Sequence, residues 1–325
     1  MATFTGRQIA VGFAKESARG TWVTPAYWVP ATAIGIDDHY NVIENGASFG
    51  VLNDTTGAVK SKQWSEGDIG GPIGDLSIGL LLKALFGAEN AAQVGGETLV
   101  YDHTFTLQTS AQHPSLSVTK SDGARTFGFP NSMVTGLEID CVMDDYATFK
   151  LSVAGKVGAT QSASASYTAE NLFSRAGITL VRATTLAGLS SGTAISIKKF
   201  KISFQPNVVH DDVLGSADPN DFLNTAFRIE GEFELFYNDD TFHDFTKNQT
   251  ATYYRLKLIN SGVTIGNGSN PTLTIDFANV VSKDWSRKDE NDNIVSQTVK
   301  FVGKYNTTDA LAVQAVLRNL RTTVY

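Results

Sequence analysis

The sequence predicts a mainly β chain of two tandem antiparallel sheet domains, each flanked by a short helix and related by internal duplication. Three observations predict it. Most of the chain alternates apolar and polar residues at the period of a half-buried strand. Charged residues make up only 18% of the 325 residues, against roughly 25% in an average globular protein; Thr, Ser, Asn and Gly take their place, a mix that favours strands and turns. The third observation is self-similarity. "PSLSV" at 114–118 and "SVAGK" at 152–156 recur in the same order as "PTLTI" at 271–275 and "KFVGK" at 300–304.

Residues 1–32 read as an N-terminal arm. Its stretch "KESARGTWVTPAYWVP" (15–30) holds Trp22, Tyr27 and Trp28 beside Pro25 and Pro30. The prolines exclude a helix interior, because each lacks a backbone donor. Lys15, Glu16 and Arg19 break up any signal-peptide core. The arm must lie on something, either its own domain or another subunit.

The first domain is expected over 33–157. It runs through strands 33–44 and 58–71 to a helix, "DLSIGLLLKALFG" (75–87), with Asp75 as N-cap and Gly87 just past the end. A strand over 98–108 and "PSLSV" follow. "GLEIDCVMDDYATFKLSVAGK" (136–156) then reads as a hairpin: Leu137, Ile139 and Cys141 alternate, Asp144 and Asp145 mark the turn, and Phe149, Leu151 and Val153 alternate again.

Residues 158–193 open with "GATQSASASYTAE", a small polar stretch expected to be linker or loop. The second domain is expected over 194–325. "AISIKKFKISFQP" (194–206) slips its alternation between Ile197 and Phe200, which predicts a bulge near Lys198–Lys199. Strands follow over 226–237 and 251–260, around a short polar helix at 241–249. "PTLTI", "VVSKDWSR", the acidic turn "KDENDN" and "TVKFVGK" complete the domain core. "TDALAVQAVLRNL" (308–320) places Val313, Val316, Leu317 and Leu320 at helical spacing, so a C-terminal amphipathic helix is expected.

Few residues suggest chemistry. The five histidines are scattered and none sits in a His-Glu-x-x-His setting. "DENDN" (289–293) lacks the glycine and terminal glutamate of an EF-hand. "GNGSN" and "IGGPIG" lack the Lys-Ser/Thr ending of a phosphate loop, and no Gly-x-Ser-x-Gly elbow occurs. Cys141 is the one cysteine, so no intrachain disulfide forms and a buried apolar role is expected. Catalysis, metal and cofactor are not expected. The longest apolar stretch, Leu76–Gly87, is far short of the roughly 20 residues that span a bilayer, so no membrane is expected. The net charge of −7 is the wrong sign to grip DNA, whose binding rests on neutralised phosphates; it suits DNA that passes without sticking, and equally suits ordinary acidic solubility.

"VGFAKESARGTWVTPAYWVP" and "SEGDIGGPIGDLSIGLLLKALFG", together with the stretch from "PTLTIDFANVV" to the final Tyr325, resemble the tail tube (major tail) proteins of siphoviruses, the long-tailed non-contractile bacteriophages. The resemblance covers both ends and is weakest over 157–225. It implies a tail-tube-like β-sandwich or half-barrel in each half, and a non-catalytic virion protein that forms stacked rings. Those rings would carry the genome into the host. With two tube domains per chain, a pseudo-hexameric ring of three subunits is favoured over a true hexamer. The implied partners are further copies of the chain, the tape measure, tail terminator and distal tail proteins, and phage DNA in transit without specific binding. The implied location is the virion tail, assembled in the host cytoplasm. Under this resemblance Trp22, Tyr27 and Trp28 are candidates for intersubunit contact. Glu138, Asp140, Asp144, Asp145, Asp284, Asp289, Glu290 and Asp292 are candidates for the lumen or the ring faces, and each could instead be a solvated turn charge. The alternative is another β-rich tube or interaction module, of secretion-system or adhesin type.

Overall fold

The computed structural model describes residues 3–289 and 291–325. Its strands in chain order are β1 (Ala10–Lys15), β2 (Tyr27–Val29), β3 (Ala33–Ile34), β4 (Asp37–Glu44) and β5 (Ala58–Pro72), then helix α1 (Ser77–Phe86). β6 (Gly87–Gln93), β7 (Tyr101–Leu107), β8 (Leu116–Ser121), β9 (Thr126–Cys141), β10 (Thr148–Gly155) and β11 (Ala159–Thr160) follow. The rest comprises β12 (Ile178–Ala183), β13 (Thr193–Ile195), β14 (Ile197–Asp211), β15 (Asp221–Phe236), α2 (Thr241–Asn248), β16 (Thr252–Ile259), β17 (Thr272–Lys288), β18 (Ser296–Gly303) and β19 (Val313–Asn319).

The protein is mainly β and its ladders are antiparallel. One sheet runs β4-β5-β10-β9-β14-β15-β18-β17. Along its strands Ile69, Leu137, Ile139, Leu151, Phe200, Ile202, Phe204, Phe233 and Val299 are buried, while the alternate positions stay open. The buried side meets a second layer in two parts, β2-β1-β8-β9-β11 and β13-β12-β16-β17-β19-β7-β6. Val11, Phe13, Val118, Phe129, Leu256 and Ile275 belong to the same contiguous core. β9 and β17, at 16 and 17 residues, serve both layers, as strands that bend at bulges can.

The two halves repeat one order of elements. β1-β2-β4-β5-α1-β8-β9-β10-β11 and β12-β13-β14-β15-α2-β16-β17-β18-β19 make the same pairings in turn, with β3 on β5 and the β6–β7 pair added in the first half. The irregularities recur too. Thr135 is bulged opposite the Ser152–Val153 step, and Lys283 opposite the corresponding Lys300–Phe301 step. Ser61 is bulged opposite Asn41–Val42, and Thr225 opposite Asn207–Val208. Ser61 donates its hydroxyl to the Asn41 carbonyl at 3.2 Å, and Thr225 donates to the Asn207 carbonyl at 2.9 Å.

Several expectations change. Residues 308–320 form no helix; β19 stands there, between β17 and β7. Val313, Ala315 and Leu317 obey a period of two, as Val313, Val316, Leu317 and Leu320 obey the helical one, and two open strand edges decide between them. Asp75 does not cap α1. Its carboxylate accepts from the Asn171 backbone and side chain at 2.8 Å. The helix start is held instead by Glu170, which accepts from the Ser77 N–H at 3.1 Å and the Ser77 hydroxyl at 2.8 Å. "SVAGK" and "KFVGK" do occupy matching places in β10 and β18, but "PSLSV" opens into β8 whereas "PTLTI" opens β17, the counterpart of β9. The stretch read as arm contains β1 and β2, and 158–193 contains β12; both β1 and β12 lie in the covering layer, on β8 and β16. The predicted bulge at Lys198–Lys199 is present as a register shift between Ile197 and Lys199.

Candidate functional site: an open sheet face between two free edges

The eight-stranded sheet exists because the halves pair directly. β9 meets β14 in the register Cys141↔Phe200, Asp140↔Lys201, Ile139↔Ile202, Glu138↔Ser203 and Leu137↔Phe204. On the covered side this seam is apolar, since those six residues Cys141, Ile139, Leu137, Phe200, Ile202 and Phe204 are buried. On the open side it is crossed by an ion pair, Lys201 Nζ to Glu138 Oε2 at 3.0 Å.

The whole open face is built in this way. Lys150 lies 2.8 Å from Asp68, Lys300 3.5 Å from Asp284, and Lys199 3.9 Å from Glu232. Arg228 and Lys283 share Glu230 at 2.6 and 3.2 Å. Hydrogen bonds from Lys150 and Ser152 hold the Asp68 carboxyl below its ordinary range, and those from Arg228 and Lys283 do the same for Glu230. Lys150, Lys199, Lys201, Lys283 and Lys300 thus each meet a carboxylate of another strand, and Arg228 meets Glu230 of its own strand. Polyanions bind where Lys and Arg stand unmatched, and each of these has a carboxylate beside it.

The sheet ends in two edges. Among the described residues, no strand pairs with β4 on the side away from β5, or with Asp284–Lys288 on the side away from β18. Such edges are templates for further pairing. Both carry charge: Asp37 and Asp38 on β4, Arg287 and Lys288 on β17. Sequence reading missed the edges, since pairing partners are not legible in one strand. It also missed the repeat "SEGDI" (65–69) and "IEGEF" (229–233), which marks the same point of β5 and β15.

The candidate acidic residues separate into two groups. Glu138 and Asp284 lie on the open face, each paired with a lysine. Asp140 shares that strand face and leaves its Oδ1 without a partner. Asp144 and Asp145 lie in the β9–β10 turn, where Arg175 contacts Asp144 at 3.3 Å. Asp289 and Asp292 lie in the β17–β18 turn, Asp289 held by Arg287 at 2.8 Å. Glu290 lies outside the described residues. The three aromatics make their contacts within the chain. Trp22 Nε1 donates to the Thr119 hydroxyl at 3.0 Å, Tyr27 packs 6.1 Å from Tyr325, and Trp28 is buried in the β1–β2 pair.

No three His, Cys, Asp or Glu side chains among the described residues cluster as metal ligands, and no described helix is long and apolar enough to cross a membrane. His210 and His243 pack edge-to-face against Phe222 and Trp285, each at 4.8 Å between ring centres.

The family model described as phage tail tube protein matches residues 6–305. The chain belongs to the phage tail tube family. No curated protein matches it. A tail tube subunit is a structural part of a virion.

Proposed function

We propose that three copies of this chain close into a ring of six like units, and that stacked rings form the tail tube through which phage DNA leaves the particle without being bound. The observation that carries this reading is the β9–β14 seam. It makes one continuous open-faced sheet from two units of the same order, and among the described residues leaves a strand edge without a partner at each end.

A barrel of about eight strands has an interior that its own side chains fill, whereas barrels of 16 or more leave an aqueous channel. A conduit therefore needs several copies, and closing the ring abolishes both edges. The ion-paired open face would line the channel. Its matched charges favour passage over capture, because no row of free cations meets the phosphates. No step of catalysis is part of this role. Contacts with a tape measure, tail terminator and distal tail proteins, and assembly in the host cytoplasm, follow from the role.

Cryo-electron microscopy of the assembled protein, viewed down the tube axis, tests it. Threefold rings with six similar densities are expected. Rings of six whole chains would keep the tube and overturn the three-copy closure. Persistent monomers in concentrated preparations would overturn the ring.

A further inference from the structure

We propose that the β17 edge of one copy pairs antiparallel with the β4 edge of a second copy in the register copied from the internal seam: Trp285 opposite Asp38, Ser286 opposite Asp37, and Arg287 opposite Ile36. This rests on the ring reading above and specifies its joint.

The register follows from the matched bulges. With Thr135 set against Lys283, residues Leu137, Glu138 and Ile139 correspond to Trp285, Ser286 and Arg287. With Ser61 set against Thr225, residues Ile202, Ser203 and Phe204 correspond to Ile36, Asp37 and Asp38. Ile36 and Ile202 are both fully buried, as this correspondence requires. The internal pairs Ile139↔Ile202, Glu138↔Ser203 and Leu137↔Phe204 then translate directly into the three external ones.

Exposure points to the missing neighbour. On β14 and β15, Val208 is half-buried and Phe222 is 0% exposed, covered with Met133, Ala154 and Trp64 of the first half. Their counterparts on β4 and β5, Val42 and Ala58, are open; Val42 is 58% exposed. In the second half, Val302 and Arg228 hold the places of Ala154 and Trp64 and are not buried. A second copy on the β4 edge would bring them over Val42 and Ala58, which share one face of the β4–β5 ladder.

The chemistry of the two seams differs. The internal seam is backed by Leu137, Ile139 and Cys141 against Phe200, Ile202 and Phe204. The external one sets Arg287 and Lys288 against Asp37 and Asp38, so Arg287 and Asp37 would extend pairs they already make with Asp289 and Lys120 at 2.8 Å. Lys288 falls diagonal to Asp37, within reach of a long side chain. The external seam is thus ionic and sensitive to salt, where the internal seam is held by burial.

A paired substitution tests the register in assembled full-length protein. Opposed residues of an antiparallel ladder hold their Cα atoms within disulfide range. Mild oxidation of S286C/D37C rings is expected to convert the monomer band to a covalent trimer. The pair S286C/N41C, four residues out of register, is expected to stay monomeric. Rings that form without the first cross-link, or with the second as readily, overturn the seam and leave the ring reading standing. Absence of rings from the wild-type chain overturns both. If the cysteine pair itself prevents assembly, charge reversal decides. R287E/K288E is expected to lose ring formation at low salt, and the further changes D37K/D38K in the same chain to restore it; no recovery overturns the seam.

Discussion

Lys201 holds Glu138 at 3.0 Å across the strands that join the two halves. Both side chains are about one-third exposed, so the pair adds at most about 1 kcal/mol. Ile202, one residue on, is fully buried beside Ile139. We expect Lys201→Ala to shift a urea unfolding midpoint little. Ile202→Ala should lower stability by about 2–5 kcal/mol. Equal effects of the two would mean that the seam is electrostatic rather than apolar.

Gly67 admits no side chain. A Cβ there would lie 2.3 Å from the Gly35 carbonyl oxygen and 2.4 Å from the Ile36 Cα. Backbone cannot step aside as a side-chain tip can, so Gly67→Ala should cost about 1–3 kcal/mol by separating β5 from β4. Gly96→Ala is no measure of crowding, since its φ is +81°. Gly57, with nothing near its Cβ position, is the control and should be close to neutral in thermal unfolding.

Arg19 ties the β1–β2 connection to the start of β15, meeting the Asp221 carboxylate at 2.6 Å and the Phe222 carbonyl at 3.0 Å. Burial pushes the Asp221 carboxyl up, but hydrogen bonds from Arg19, the Phe222 N–H and Asn131 outweigh it and hold the group below its ordinary range. A depressed folded-state value means stability present above the unfolded carboxylate pKa of about 3.9 and lost as pH falls through the folded value. Asp221→Asn should flatten that acid limb of the stability profile. An unchanged slope would assign the acid sensitivity elsewhere.

Cys141 is 4% exposed, and burial, with Asp140 beside it, pushes its thiol up to about 12. The thiolate is the reactive form. A thiol reagent at pH 8 should label the native protein far more slowly than the same chain in denaturant. Rapid native labelling would show that the β9–β14 seam opens.

The parts legible in the sequence were those governed by local pattern. The β9–β10 hairpin alternates cleanly around Asp144 and Asp145, α1 shows a long apolar run closed by Gly87, and the slip between Ile197 and Phe200 is a bulge in fact. The parts that misled depend on distant partners. Val313 to Leu317 fits both a helix and a strand, and only β7 and β17 decide. Glu170, not the adjacent Asp75, holds the start of α1. Of the candidate acidic residues, sequence located Glu138 and Asp284 on strands but could not show that Lys201 and Lys300 neutralise them. Nothing in β4 or in Asp284–Lys288 read singly reveals that, among the described residues, their outer edges have no strand beside them.

β7 pairs with β19, and Arg318 meets Asp102 across that ladder at 2.7 Å although 216 positions separate them. During synthesis, β7 leaves the ribosome long before its neighbour exists. The order of emergence thus leaves one flank of the first half unpaired until the last strand arrives. Loop closure over such a span is entropically costly and slow. Folding of the first half is thereby coupled to translation as far as β19, and a truncated product ending before Val313 would present β7 as an adhesive strand rather than a finished half.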